Sequence, residues 1–221
     1  MKRLIIFGAL LLLIAPTADA RRKRDKAGSI QDGVYTDKKY EFTMKLDEEW
    51  KVSIMKDEKP FRVVLVQKNY AIPNDYQDAP DYTKVPKVVV YADTTSTGIF
   101  AFVDSLFSDS YSSDQKNEIR KEFEFLNEHE IVPRGVKRLE VGGEKGVLWQ
   151  GQAKYVKEVA TSASSIGGKR VYGAYGGAII GAKKGDLMVL FHVMSEWQYF
   201  PGVLQQALQF VETFTWGSDE G

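Results

Sequence analysis

The stretch that decides the fold runs from Gly33 to Trp50 and reads GVYTDKKYEFTMKLDEEW. Apolar and polar residues alternate strictly from Tyr40 to Leu46. A period of two is typical of a strand with one buried face and one solvated face. A short apolar-rich segment, Val34 to Thr36, precedes this strand across a polar turn, so the stretch predicts a β-hairpin. Its predicted core side chains are Tyr40, Phe42, Met44 and Leu46.

The first twenty residues have the composition of a secretory signal peptide. A basic head, Lys2-Arg3, precedes an apolar run from Leu4 to Ala15, and the small residues Ala18 and Ala20 lie at the third and first positions before the expected cut. The apolar run holds 12 residues, whereas a helix needs about 20 to span a membrane. We therefore expect an exported protein, periplasmic or secreted, that is cleaved after Ala20 and has no transmembrane span in its mature chain.

A basic leader is predicted over residues 21–32. Four basic residues, Arg21-Arg22-Lys23-Arg24, follow the expected cleavage site directly. Three interpretations remain open: a disordered, solvated lead-in, a second processing site of the dibasic type, and a weak contact of Arg21 to Lys26 with an anionic surface. We expect one domain over residues 33–216 and a polar tail over residues 217–221.

Charge balance and cysteine content restrict the classes of function. The chain has 30 basic and 30 acidic side chains and no cysteine. A neutral chain gives no electrostatic reason to expect a nucleic-acid partner. Without cysteine, a zinc or copper site lacks thiolate ligands, and stability must come from packing. We expect no metal site and no cofactor.

The order of predicted elements indicates an α+β fold. Strands come first, two helices follow between residues 99 and 126, and further strands precede a terminal helix. Such segregation favours an antiparallel sheet of about six to seven strands with helices packed on its faces, an α/β/α sandwich. Two strands are apolar on both faces, Phe61–Val66 and Leu187–Met194, which is typical of central strands. The other strands are predicted around Trp50–Ile54, Val88–Ala92, Val136–Val141, Val147–Val156 and Val171–Ala182.

Glycines recur in the predicted strand from Val171 to Ala182. They satisfy neither the phosphate-loop pattern nor the context of a membrane helix contact. Glycine inside a strand often allows another group to approach the backbone closely. We therefore expect these positions to admit a neighbouring backbone or an aromatic ring.

The segment from Asn69 to Pro86 is the best candidate for a functional loop. Its prolines and its Asn and Asp residues oppose regular structure, and long loops in folded domains are often functional. Tyrosines are common at interfaces, so we predict a partner contact here. A plain exposed loop and a Ca²⁺ site of non-EF-hand spacing are the alternatives. The candidate contact residues are Tyr70, Tyr76, Tyr82, Asp75, Asp78 and Asp81.

Two histidines are the candidates for catalysis. His129 lies at the predicted exit of a helix, and His192 lies inside a predicted central strand. A lone histidine in such a strand is more often a hydrogen-bonded core residue than a catalyst. The sequence has no nucleophile-elbow motif. The main hypothesis is a non-catalytic binding or assembly protein, and the alternative is a hydrolase that uses His192 or His129 with a carboxylate.

The hairpin stretch also resembles a known family. The pattern G-x-Y-x-D-x-x-Y-x-F-x-x-x-L-x-x-x-W is similar to the start of PsbP-like proteins, whose relatives include DcrB-like periplasmic proteins and a nuclear Ran-binding protein. The residues that carry it are Gly33, Tyr35, Asp37, Tyr40, Phe42, Leu46 and Trp50. The downstream order of elements is similar over residues 33–216.

The resemblance implies an α/β/α sandwich that acts as a binding or assembly module without catalysis. It implies no photosystem role and no particular site residue for this chain, which has no visible pair of metal-binding histidines. We expect the partner to be a protein or a small apolar ligand, bound at a sheet face or at the loop of residues 69–86.

Overall fold

Ten strands and two helices make up the described part of the chain in a computed structural model, which covers residues 26–71, 86–107, 132–159 and 168–217. The strands are β1 (Gly28–Gln31), β2 (Val34–Asp37), β3 (Thr43–Lys45), β4 (Trp50–Ile54), β5 (Phe61–Gln67), β6 (Lys87–Thr94), β7 (Val132–Val141), β8 (Glu144–Val159), β9 (Gly168–Lys184) and β10 (Leu187–Glu196). The helices are α1 (Ile99–Phe107) and α2 (Phe200–Glu212).

Seven strands form the main sheet, in the order β4-β5-β6-β10-β9-β8-β7, and every neighbouring pair is antiparallel. This arrangement confirms the predicted α+β class with an antiparallel sheet. β10 lies in the middle, and all its residues after Leu187 are buried. β5 lies next to the edge strand, so its Val64 and Val66 are only partly buried. The prediction of a strand fully covered on both faces is therefore confirmed for β10 but wrong for β5.

One described helix packs on each face of the main sheet. Alternate residues of β10, Val189, Phe191 and Val193, share a hydrophobic cluster with α2. The residues between them, Met188 and Leu190, share a second cluster with α1. The described elements therefore stack as helix, sheet and helix. The second helix predicted after α1, over residues 112–126, lies outside the described residues.

The hairpin predicted from residues 33–46 forms, with Tyr35 opposite Met44 in β2 and β3. Phe42 and Met44 are fully buried, which confirms them as core residues. Tyr40 and Leu46 are partly buried and pack against the same cluster. The hairpin does not join the main sheet. It forms a separate three-stranded sheet in the order β1-β2-β3.

The structure corrects one boundary of the predicted leader, because Gly28–Gln31 is strand β1. Only Gly28 of this strand is buried, so no apolar alternation marks the strand in the sequence. A Cβ atom on Gly28 would lie 2.3 Å from the carbonyl oxygen of Thr36, so glycine permits β1 to approach β2. Just before β1, the buried Ala27 donates its N–H to Met55 O at 2.9 Å. Residues 1–25, with the predicted signal peptide, lie outside the described residues.

A buried ion pair joins the two sheets. Arg62 of β5 is 1% exposed, and its Nε and Nη2 atoms donate to the carboxylate of Asp37 in β2 at 2.7 and 3.0 Å. The Tyr35 hydroxyl donates to the same carboxylate at 2.9 Å. Arg62 Nη2 also donates to Asp57 Oδ1 at 2.8 Å. We call Arg62, Asp37, Tyr35 and Asp57 the Arg62 cluster.

The polar atoms of the Arg62 cluster are well satisfied. Arg62 Nη1 donates to the backbone oxygens of Asp57 and Lys59 at 2.8 and 2.9 Å. Asp37 Oδ1 accepts the backbone N–H groups of Lys39 and Tyr40 at 3.0 and 2.9 Å. A buried charge pair is tolerated when its remaining donors and acceptors are also paired. Three residues of the hairpin pattern, Tyr35, Asp37 and Tyr40, therefore have a common structural role.

The Tyr35 hydroxyl makes stability depend on alkaline pH. Burial, and then the neighbouring Asp37 carboxylate, raise the pKa of Tyr35 well above its ordinary value. The unfolded chain loses this proton near pH about 10, whereas the folded protein retains it. Because the unfolded state then binds fewer protons, stability falls as pH rises beyond about 10. We expect Tyr35→Phe to show a shallower loss of unfolding free energy over this range, measured by chemical denaturation.

The control for this measurement is Tyr199→Phe, because Tyr199 is 47% exposed. This variant should retain the pH slope of the wild type. Equal slopes for wild type and Tyr35→Phe would contradict the assignment to Tyr35.

The glycines of β9 admit neighbouring groups, as predicted. A Cβ atom on Gly176 would lie 2.2 Å from Cγ of Phe200 in α2. A Cβ atom on Gly181 would lie 2.6 Å from the carbonyl oxygen of Val189 in β10. The first glycine therefore allows an aromatic ring, and the second a neighbouring strand, to approach closely.

We expect Gly176→Ala to lower the free energy of unfolding by about 1–3 kcal/mol, because the added methyl group overpacks the Phe200 contact. The measurement is urea denaturation followed by fluorescence. The matched control is Gly202→Ala in α2, where a Cβ atom would meet nothing within 4 Å. That variant should gain up to about 1 kcal/mol from helix propensity. If Gly176→Ala leaves the free energy of unfolding unchanged, the close packing of Gly176 against Phe200 is contradicted.

Candidate binding cleft at the start of α2

The turn between β10 and α2 positions one side of a cleft. The Tyr199 N–H donates to Glu196 O at 3.1 Å, and the Val203 N–H donates to Tyr199 O at 3.1 Å as the helix begins. Pro201 lies in the first helical turn, where its missing N–H removes no helical hydrogen bond. The turn and the first helical turn therefore hold Tyr199 beside the end of β10.

The end of β5 positions the other side. The Gln67 N–H donates to Pro86 O at 3.1 Å, so the end of β5 lies next to the residue that precedes β6. Asn69 has φ +56°, in the left-handed region where asparagine is enriched. The chain thus turns out of β5 at Asn69 and delivers Tyr70 next to the end of β10.

Tyr70 connects the loop start to both neighbouring elements. Its hydroxyl donates to Oε2 of Glu196 at 2.5 Å. Its ring meets the ring of Tyr199 edge to face, with centroids 5.9 Å apart and planes at 89°. These contacts fix the tyrosine ring at the mouth of the space between β5 and α2.

A cavity of about 390 Å³ lies in this space, and we call it the Tyr70 cleft. Its described walls combine two tyrosine rings, three carboxamides and small or apolar groups, and none of these described side chains is charged. Such a surface can pack against an apolar ligand and hydrogen-bond its polar groups. The lining residues are Gln67, Asn69, Tyr70, Ala71, Tyr199, Gly202, Val203 and Gln206.

Two buried acceptors stand beside the cleft. Glu196 is 1% exposed, and its Oε1 accepts no hydrogen bond from any residue that the structure describes. Oε1 of Gln206 is likewise buried without a donor from that part of the chain. Buried polar atoms without partners are uncommon in native proteins. Of the two residues, Gln206 lines the cleft, whereas Glu196 is not among the described lining residues.

Of the predicted contact residues, the structure places Tyr70 in the cleft. The other five, Tyr76, Tyr82, Asp75, Asp78 and Asp81, lie outside the described residues, so their role stays a prediction. Sequence reasoning missed Tyr199, Glu196 and Gln206. A signal was present for Glu196, since an acidic residue ends a strand that is mostly apolar.

His192 lies in the core. It is 1% exposed and sits opposite Val89 and Ile179 in the sheet register. A substrate would have to enter the core to reach this ring. His129 lies outside the described residues, so the hydrolase hypothesis stays a prediction.

The described ranges offer no group of three or more His, Asp or Glu side chains arranged to hold a metal ion. Within the same ranges, no helix is both long enough and apolar enough to cross a membrane.

A second cavity, of about 530 Å³, lies between α1 and the strands β7 and β8. Its charged side chains, Arg138, Glu140 and Lys145, are all exposed. Arg138 lies over the ring of Phe100, 5.5 Å from its centroid. Ion pairs with exposed side chains contribute little free energy, so we take the Tyr70 cleft as the better candidate site.

Comparison with known proteins finds similar solved structures. No protein family and no curated protein matches the chain. LpqN, involved in cell envelope biogenesis of Mycobacterium tuberculosis, is 12% identical, with a TM-score of 0.44 over 80% of this chain and 83% of LpqN. Cyanobacterial PsbP (CyanoP) from Synechocystis sp. PCC 6803 is 8% identical, with a TM-score of 0.45 over 86% of this chain and 96% of CyanoP.

A structure from Bacteroides thetaiotaomicron VPI-5482 is 9% identical, with a TM-score of 0.39 over 81% of this chain and 46% of that one. All three TM-scores lie below 0.5, so we base no conclusion about family or function on them.

Proposed function

We propose that this protein is an exported, non-catalytic accessory protein that binds a small ligand in the Tyr70 cleft. The observation that carries the proposal is the cleft itself, a cavity of about 390 Å³. Small-molecule sites typically enclose about 300–1,000 Å³ and are lined by apolar and aromatic groups with a few polar ones. The rings of Tyr70 and Tyr199 and three carboxamides match this composition.

The lining favours binding over catalysis. The described residues that line the cleft include no serine, cysteine, histidine or carboxylate, which are the usual nucleophiles and general bases. Carboxamides donate and accept hydrogen bonds without taking part in proton transfer. The chemistry that the walls offer is therefore recognition.

Export and family are the other parts of the proposal. Export rests on residues 1–20, which have the basic head, apolar run and small residues of a signal peptide. Membership in the PsbP-like group is proposed from the hairpin pattern alone, which runs from Gly33 to Trp50. The remaining members of the 69–86 loop are proposed to add partner contacts next to the cleft.

A fragment screen tests the proposal. The mature chain from residue 21 onward would be screened with small aromatic and amide fragments by ligand-observed NMR, beside Tyr199→Ala and Phe100→Ala. Tyr199 lines the cleft, whereas Phe100 is a similarly exposed ring, at 43%, in the other cavity. We expect a subset of fragments to bind wild type and Phe100→Ala but not Tyr199→Ala. If no subset of fragments shows this behaviour, the proposal is overturned.

A further inference from the structure

We infer that the Tyr70 cleft binds a saccharide. The inference rests on the proposed function and adds the chemical class of the ligand. It uses side chains that a ligand in the cleft can touch, because every described lining residue except Val203 is at least partly exposed.

Three carboxamides supply polar groups to the cleft. Gln67 ends β5, Asn69 lies in the turn that follows, and Gln206 lies on α2. Each carboxamide carries two N–H donors beside an acceptor oxygen. A sugar hydroxyl is also both a donor and an acceptor, so two neighbouring hydroxyls can pair with one carboxamide. A ligand with hydroxyl groups on several sides therefore matches carboxamides that come from both walls of the cleft.

The two tyrosine rings of the cleft form a corner. The planes of Tyr70 and Tyr199 meet at 89°, with centroids 5.9 Å apart. The proton of the Tyr70 hydroxyl is directed to Glu196, so the ring is the main surface that Tyr70 offers to a ligand. The face of an aromatic ring is electron-rich and attracts the weakly positive C–H groups of a sugar. Perpendicular rings cannot sandwich a flat ligand, whereas a sugar ring has C–H groups on its face and its rim and can contact both tyrosines.

An exposed tryptophan follows from the same turn. Trp197 is 40% exposed and lies two residues before Tyr199, so their Cα atoms are at most about 7 Å apart. The indole stacks on the buried ring of Phe200, with centroids 6.0 Å apart and planes at 13°. This contact holds the indole in place on the turn that forms the cleft. A second sugar unit can stack on it, so we expect a disaccharide to bind more tightly than its monosaccharide.

Saturation-transfer NMR on the mature chain from residue 21 onward tests the inference with four probes: maltose, cellobiose, N,N′-diacetylchitobiose and adenosine. We expect at least one disaccharide to bind. Tyr199→Ala should raise its dissociation constant about tenfold, as the loss of one stacked aromatic ring would. Tyr199→Phe retains the ring and should bind like the wild type, and so should Phe100→Ala. Binding of adenosine alone would overturn the inference, as would the absence of any disaccharide whose binding is sensitive to Tyr199→Ala.

Two further variants test the carboxamides and the tryptophan. Asn69 has φ +56°, so Asn69→Gly retains the backbone conformation and removes one carboxamide. This variant should bind the disaccharide about fivefold more weakly, as the loss of one hydrogen bond would give. Trp197→Ala should remove the advantage of the disaccharide over its monosaccharide. Wild-type affinity in Asn69→Gly would overturn the role of Asn69, and an advantage that survives in Trp197→Ala would overturn the role of Trp197.

The two proposals fail differently. If neither the aromatic and amide fragments nor the disaccharides bind in a manner sensitive to Tyr199→Ala, the cleft is not a ligand site. If the fragments bind in that manner and no disaccharide does, the saccharide class alone is overturned.

Discussion

Replacement of Arg62 by methionine is expected to lower the free energy of unfolding by about 3–5 kcal/mol. The substitution leaves the Asp37 carboxylate buried between the two sheets without its bidentate partner. It also leaves the backbone oxygens of Asp57 and Lys59 without a donor from the guanidinium. Equilibrium denaturation with guanidinium chloride measures the loss.

Two comparisons make this prediction specific to the buried pair. Arg62→Met combined with Asp37→Leu removes both charges, so the double variant should be more stable than Arg62→Met alone. Lys56→Ala breaks an exposed ion pair with Glu58, whose atoms are 3.7 Å apart and whose side chains are 43% and 71% exposed, and should cost at most about 1 kcal/mol. A loss of that small size in Arg62→Met would refute the proposed role of the cluster.

Truncation of Phe214 to alanine is expected to cost about 3–5 kcal/mol, because it opens a cavity in the core. Phe214 is 2% exposed and lies just after α2. Its ring contacts Phe42 of the hairpin at 5.4 Å, Phe191 of β10 at 5.7 Å and Trp216 at 4.9 Å between centroids. One side chain thus joins the three-stranded sheet, the central strand and the chain after α2.

The control for Phe214→Ala is Phe100→Ala, which removes the same ring from a position that is 43% exposed. We expect a loss of less than about 1 kcal/mol there, since solvent fills the vacated space. A double-variant cycle between Phe214→Ala and Phe42→Ala should give an interaction energy beyond additivity. Similar losses for Phe214→Ala and Phe100→Ala would show that the aromatic cluster is not a centre of stability.

The sequence predicted the fold well where side-chain periodicity is strong. Strict alternation identified the core residues of the hairpin, and the doubly apolar pattern of β10 identified the central strand. It could not show that the hairpin forms a sheet of its own, because alternation reports which face is buried and not which strand is the neighbour. It also missed β1, whose residues after Gly28 are exposed.

The candidate site was predictable only in part. The loop after Asn69 stood out by composition, and Tyr70 of that loop does line the cleft. The cleft itself depends on Tyr199 and Gln206, which reach Tyr70 only through the packing of α2 beside the end of β5. No local pattern encodes such a meeting of distant segments. Arg62 was visible as the polar residue of an apolar strand, but its partner Asp37 is revealed only by the fold.

The buried backbone at Ala27 sets a limit on how much of the amino terminus can be trimmed. The Ala27 N–H donates to Met55 O at 2.9 Å, and the Ala27 carbonyl oxygen accepts the Lys38 N–H at 2.8 Å. The same oxygen also accepts a hydrogen bond from Arg62 Nη2 at 3.4 Å. A protease cut after Arg24 would leave these hydrogen bonds in place. A cut after Ala27 would separate Ala27 from β1, and the hydrogen bonds of Ala27 would be lost with it. Purification tags should therefore be tolerated at residue 21, and a chain that starts at residue 28 should be less stable than one that starts at residue 25.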